Sequence, residues 1–205
     1  MSKQGYHHGN LRQALVEAAL RLIEEKGPTG FTLSEAAKSA GVTPAAVYRH
    51  FEGREALIEE GARQGYAIFA DLMEHAWADG KPSALAAFGA VGRAYLAFAR
   101  RYPGHYMAMF ESGISPNRVP ALAPLAERAH AVMERATAAL TAHLPADRRP
   151  PPAMVAAHIW AMSHGVVELY ARGEPGARAP FPPDDLLETG IGVYLRGLGI
   201  IDADR

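Results

Sequence analysis

The chain has 205 residues, 49% of them hydrophobic and 21% charged, with no cysteine and 21 Lys+Arg against 22 Asp+Glu for a formal charge of -1. That length suffices to bury the core of one or two domains. The lack of cysteine excludes disulfide frameworks, thiolate zinc sites and cysteine nucleophiles. No apolar run approaches the roughly 20 residues of a membrane span, and the opening Met-Ser-Lys-Gln-Gly-Tyr-His-His has no signal-peptide core, so the sequence predicts a cytoplasmic protein.

Hydrophobic spacing predicts an all-α protein, because no stretch sustains the alternation of β-branched and aromatic residues that strands need. The first helix begins near Asn10, aligns Leu11, Leu15, Ala18, Leu22 and Ile23, and stops at Gly27-Pro28. Thr32-Leu-Ser-Glu35 is a capping box that opens a short helix ending at Ala40. After Gly41, Thr43 caps another short helix with Pro44 in its first turn, reaching about Phe51. Gly53 to about Asp79 is one long amphipathic segment, the expected connector between two regions. Further helices are expected at about 83–101, 104–111, 119–143, 152–172 and 184–198, with 173–183 as the longest loop.

Phe31 to Phe51 carries the most specific pattern. Two short helices can cross steeply if the contact is small, the turn admits a left-handed backbone and the second helix anchors inward; Ala37, Gly41 and Val47 meet these needs. Thr43, Pro44, Ala45 and Ala46 then occupy the start of the second helix, the part of a recognition helix that reaches base edges, while Tyr48 and Arg49 suit phosphate or a guanine edge. A three-helix bundle of purely structural purpose is the competing reading.

Residues 10–58 resemble the DNA-binding domain of the TetR/AcrR family of transcriptional regulators. The stretches that carry the resemblance are Asn10-Leu-Arg-Gln-Ala-Leu-Val-Glu-Ala-Ala, Gly30-Phe-Thr-Leu-Ser-Glu-Ala-Ala, Ala-Gly-Val-Thr-Pro-Ala-Ala-Val-Tyr-Arg-His-Phe51 and Arg54-Glu-Ala-Leu57. The resemblance implies phosphate contacts by Tyr48 and His50, support from Thr32, an inward Phe51, and a cationic contact from Arg54 where the family usually has Lys. It also implies a homodimer, with residues 1–53 binding double-stranded operator DNA and residues 54–205 binding a small-molecule effector and dimerising. Ile159-Trp-Ala-Met-Ser-His-Gly-Val-Val-Glu-Leu is similar to the Trp-x-x-x-His-Gly signature of one C-terminal subtype.

In the C-terminal part, Phe88, Tyr95, Tyr106, Met107, Met109, Phe110, Met133, Trp160 and His164 are the candidate effector-pocket wall, though plain core packing explains the same residues. His164 and Glu168 stand one helical turn apart and can hydrogen-bond. Met154–Tyr170 is apolar almost all round, which calls for two partners. Val155, Ile159, Met162, Val166, Ile191, Tyr194 and Leu198 are therefore the candidate dimer interface in a four-helix contact. His7 and His8 could reach DNA as an N-terminal arm or simply fray.

No catalytic set, metal site or cofactor is expected. Ser163 and His164 are adjacent and diverge from a helix, and no Gly-rich phosphate loop or His-Glu-x-x-His occurs. The sequence-level expectation is a ligand-responsive regulator, most simply a repressor. A helical small-molecule-binding protein or enzyme with a structural N-terminal bundle is the alternative. Residues 1–55 carry seven Lys/Arg against six acids, an excess too small to argue either way.

Overall fold

The computed structural model describes residues 11–171 and 181–201, and every regular element among them is helical. His7, His8 and most of the 173–183 loop lie outside the described residues. The helices are α1 (Leu11–Lys26), α2 (Leu33–Ser39), α3 (Pro44–Val47), α4 (Arg54–Trp77), α5 (Ala84–Arg101), α6 (Pro103–Phe110), α7 (Ala123–Thr141), α8 (Pro152–Val166) and α9 (Pro183–Gly197). Short 3₁₀ turns follow α4 and precede α7, and α8 widens into a π-turn over Val167–Ala171. The expected all-α class is the observed one.

The described residues form two compact units, one within residues 1–67 and 102–123 and the other within 68–101 and 124–205. The 24-residue α4, about 36 Å long, contributes to both.

In the first unit, α1 buries more than the single face expected. Leu15, Ala18, Leu22 and Ile23 are buried as predicted, but so are Val16, Ala19 and Leu20. The extra face exists because α6 packs against α1. Gly104 sits so close that a Cβ there would lie 2.5 Å from the Leu20 carbonyl oxygen. Where α4 passes, Gly65 leaves room for Met109 and His105, and Tyr66 meets Phe110 edge-on at 6.1 Å. Burial lowers the His105 pKa and pushes the Tyr66 phenol up to about 12.

One polar cluster ties α1 to α4. The Glu60 carboxylate accepts from Arg12 Nη2 at 3.0 Å, Arg63 Nη2 at 2.7 Å, Arg63 Nε at 3.0 Å and Gln64 Nε2 at 3.0 Å. Burial alone would raise the Glu60 pKa, but the donors from Arg63, Arg12 and Gln64 outweigh it and hold the group at about 2. Arg12 also lies over the Phe51 ring, 4.9 Å from its centroid.

The second unit is centred on rings. Phe69 contacts Phe98, Tyr95 and Trp160 at centroid separations of 5.0, 5.2 and 5.7 Å, and Tyr95 meets Trp160 at 5.4 Å. Edge-to-face pairs of this kind each add about 0.5–1.5 kcal/mol beyond the area they bury. Ion pairs from Arg128 to Asp71 and from Arg135 to Glu74 bind α7 to the C-terminal half of α4. Arg100 bonds Asp184 at 2.5 Å between α5 and α9.

Candidate functional site

The α2–turn–α3 segment is built by local chemistry. Both halves of the expected capping box are present: Glu35 N–H donates to Thr32 Oγ1 at 3.2 Å, and Thr32 N–H donates to Glu35 Oε2 at 2.8 Å. At the other end Gly41 takes φ +72°, Val42 N–H reaches the Ala37 carbonyl at 2.9 Å and Gly41 N–H reaches Lys38 at 3.1 Å. This double closure is a Schellman ending, which needs a residue without a Cβ penalty at that left-handed position. Ala36, Ala37, Val47 and Phe51 are buried behind it.

Two local expectations change. The second helix is α-helical only over Pro44–Val47; a hydrogen-bonded turn, with His50 and Phe51 N–H on the Val47 carbonyl, carries the chain onward. Thr43 has the extended N-cap backbone, yet its side chain makes no capping bond. Its hydroxyl is therefore not spent on the helix.

The predicted DNA-contact residues separate into two groups. Thr43, Pro44, Ala45, Tyr48, Arg49 and His50 are exposed together on one surface, with Ala46 half-buried beside them and Tyr48 at 62% exposure. Thr32 and Arg54, in contrast, are engaged within the unit. The Thr32 hydroxyl donates to Glu35 Oε2 at 3.0 Å, and Lys26 Nζ closes on the same carboxylate at 2.6 Å. Lys26, with both Thr32 donors, holds the Glu35 carboxyl down at about 2. Arg54 Nη1 donates to the carbonyls of Thr29 at 3.0 Å and Phe31 at 3.4 Å, pinning the α1–α2 loop.

The candidate effector residues do not gather into one cavity. Tyr106, Met107, Met109 and Phe110 lie on α6 in the first unit, where that helix packs against α1 and the first half of α4. Tyr95, Trp160 and His164 do meet in the second unit, where the Tyr95 hydroxyl and His164 Nδ1 are 2.9 Å apart. That contact joins α5 to α8. Met133 and Trp160 line a separate groove of about 320 Å³ with His130, which stacks on Trp160 at 4.4 Å. Phe88 belongs to another groove, between α5 and α9.

The candidate dimer residues also divide. Val155 and Ile159 are 0% and 1% exposed, buried within their own chain, so they cannot face a second copy. Ile191 Cδ1 would lie 4.0 Å from a Cβ on Gly92, turned toward α5. Met162, Val166, Tyr194 and Leu198 remain partly exposed. On the same two elements and the π-turn, Met154, Leu169, Tyr170 and Val193 are also exposed apolar residues; the helical spacing places Leu169 on the face of Val155 and Met162 and Tyr170 on that of Trp160, while Met154 and Val193 are not singled out by it.

Nor did the sequence reveal the Glu60 cluster or the loop contacts of Arg54. Arg12 and Glu60 are separated by 48 residues, and no short motif records such a pairing. Among the described residues no group of three or more His, Asp or Glu is placed to hold a metal, and no helix is long and apolar enough to cross a membrane.

Comparison with known proteins agrees with this architecture. Residues 15–60 match the bacterial regulatory proteins of the tetR family, and residues 88–194 match the tetracyclin repressor-like C-terminal domain. The HTH-type transcriptional regulator BetI of Rhizobium meliloti (strain 1021) is 47% identical over 47 residues, a stretch that spans only 23% of each chain. A solved structure of a protein of unknown function from Rhodococcus sp. RHA1 is 27% identical, covers 95% of this chain and 98% of its own, and superposes with a TM-score of 0.77. AibR, solved in complex with isovaleryl coenzyme A and operator DNA, shares the fold at 18% identity and a TM-score of 0.69 over 89% of this chain and 97% of its own. With both halves matched, the chain belongs to the TetR family of DNA-binding transcriptional regulators.

Proposed function

We propose that this regulator is a homodimeric, cytoplasmic repressor that reads a palindromic operator through α3 and is released by a small molecule bound in residues 54–205. What carries the reading is the exposed surface Thr43, Pro44, Ala45, Tyr48, Arg49 and His50, held by the buried Ala37, Val47 and Phe51. Small side chains at Pro44, Ala45 and Ala46 allow close approach to base edges, with the Ala methyls suited to thymine methyls. The hydroxyls of Thr43 and Tyr48 and the side chains of Arg49 and His50 take phosphate oxygens. Thr32 and Arg54 frame this surface: the Thr32 hydroxyl contacts phosphate only by giving up its bond to Glu35, whereas Arg54 spends Nη1 on the loop carbonyls and keeps its Nε and Nη2 donors for phosphate. Residues 1–53 are the reading part in this account.

We infer that the C-terminal domain is of the Trp-x-x-x-His-Gly kind, carried by Trp160, His164 and Gly165. The effector site centres on the Tyr95–His164 pair between Phe69 and Trp160, where one polar contact sits among rings. Dimerisation uses Met162, Val166, Tyr194 and Leu198 together with Met154, Leu169 and Val193, an apolar set that an isolated chain leaves open to water. Effector and operator are linked through α4, and the effector acts only to the extent that it binds the non-operator state more tightly.

The reading is tested by selecting bound sequences from a random duplex pool. Ala45→Leu is expected to change the selected sequence. Tyr48→Phe is expected to weaken binding to every sequence by about 1.5–3 kcal/mol, the worth of a hydrogen bond to a charged group. An unchanged selection profile for Ala45→Leu would place base reading elsewhere.

A further inference from the structure

We propose that the groove between α5 and α9 is a second binding site, for a small amphiphilic monocarboxylate. The groove has a volume of about 470 Å³, and its apolar lining includes Phe88, Leu96, Leu187 and Leu195, all buried, with Ile191 and Ile201 beside them. It holds none of Tyr95, Trp160 or His164. A space of this size and lining suits a short alkyl chain.

Charge defines the other end of the ligand. The helices run antiparallel: Arg100 meets Asp184 at one end, and Gly92 meets Leu187 and Ile191 further along. That register brings Gly89 level with Gly192. Each of these glycines is covered by an arginine of its own helix, since a Cβ on Gly89 would lie 3.4 Å from Arg93 Nη1 and one on Gly192 would lie 3.3 Å from Arg196 Nη1. Each wall of the groove thus carries one arginine, Arg93 on α5 and Arg196 on α9.

Neither Arg93 nor Arg196 makes an ion pair among the described residues, although two carboxylates line the same groove. Asp184 is taken by Arg100, and Glu188 is outside ion-pair distance of both. Two cations on opposite walls, neither in an ion pair and with Glu188 the one acid of the groove not already bridged, favour an added anion, and a carboxylate matches the guanidinium fork. Glu188 on the same wall repels a second acid group, so the site selects a monocarboxylate over a dicarboxylate. This inference does not depend on the operator reading.

Calorimetric titration of the full chain with octanoate, octan-1-ol and suberate tests it. Octanoate is expected to bind at one site per chain, roughly tenfold tighter than octanol or suberate, and to lose at least that factor in the exposed-residue variant Arg93→Gln/Arg196→Gln. In unsubstituted protein the δ1 methyl signals of Ile191 and Ile201 should shift with octanoate while that of Ile159 stays, a readout that does not depend on how the variant folds. Octanol binding as tightly as octanoate, undiminished octanoate binding in the double variant, movement at Ile159 alone, or no saturable binding at millimolar octanoate would each overturn the proposal.

Discussion

Glu60 shows how much one residue can organise. Its carboxylate takes three donors from its own helix, two from Arg63 and one from Gln64, and a fourth from Arg12, which joins α1 to α4 and also lies over the Phe51 ring. Because the folded-state pKa is held near 2, below the ordinary 4.5, the group contributes stability that is fully present above pH 4.5 and is lost as pH falls toward 2. The urea midpoint should therefore decline across that interval in the native sequence, and Glu60→Gln should remove this part of the decline while lowering the midpoint near neutrality. An unchanged acid limb in the variant would assign the pH dependence to other carboxylates. Residue-scale features were legible only where they are local. The Thr32–Glu35 box could be read from its spacing, because both partners lie within one turn. Thr43 occupies the N-cap that its position suggests but makes no cap bond, because the backbone reaches cap geometry without it. Arg54 looked like a free cation, and its contacts to Thr29 and Phe31 depend on a loop more than 20 residues away in sequence.

At the scale of elements, periodicity located the helices well and their partners poorly. The segments expected at 83–101, 104–111 and 184–198 appear as Ala84–Arg101, Pro103–Phe110 and Pro183–Gly197. Yet α6, placed by chain order with the effector domain, packs on α1 beside the helix-turn-helix. Its Gly-His-Tyr-Met-Ala-Met-Phe run signals burial on most sides without saying against what. The deciding contact is Gly104 on Leu20, where the obstructing atoms are backbone and cannot rotate away. Gly104→Ala should consequently force α1 and α6 apart, at a cost of about 1–3 kcal/mol. Chemical denaturation checks this, and a variant as stable as the native sequence would mean that the two helices separate freely. Apolar runs were similarly ambiguous on α8: Val155 and Ile159 had the right period for an interface and proved to be core, since hydrophobic spacing does not distinguish a neighbour in the same chain from one in another.

For the whole molecule, the formal charge of -1 gives no sign of an anionic partner. Our account resolves this by confining DNA contact to a few exposed groups around α3, doubled by two-fold symmetry, so that affinity for arbitrary DNA is weak at physiological salt and specificity comes from paired recognition. Membership of the TetR family establishes DNA binding and regulation as the setting. Symmetric reading through α3 is the central claim within it. The most direct measurement is selection of genomic fragments by the purified native chain, followed by mapping of the protected bases. The account predicts enrichment of a short palindrome whose half-site centres are about 34–36 Å apart, or a multiple of that distance. Enrichment of a non-palindromic site, or recovery of fragments with no common sequence, would contradict it.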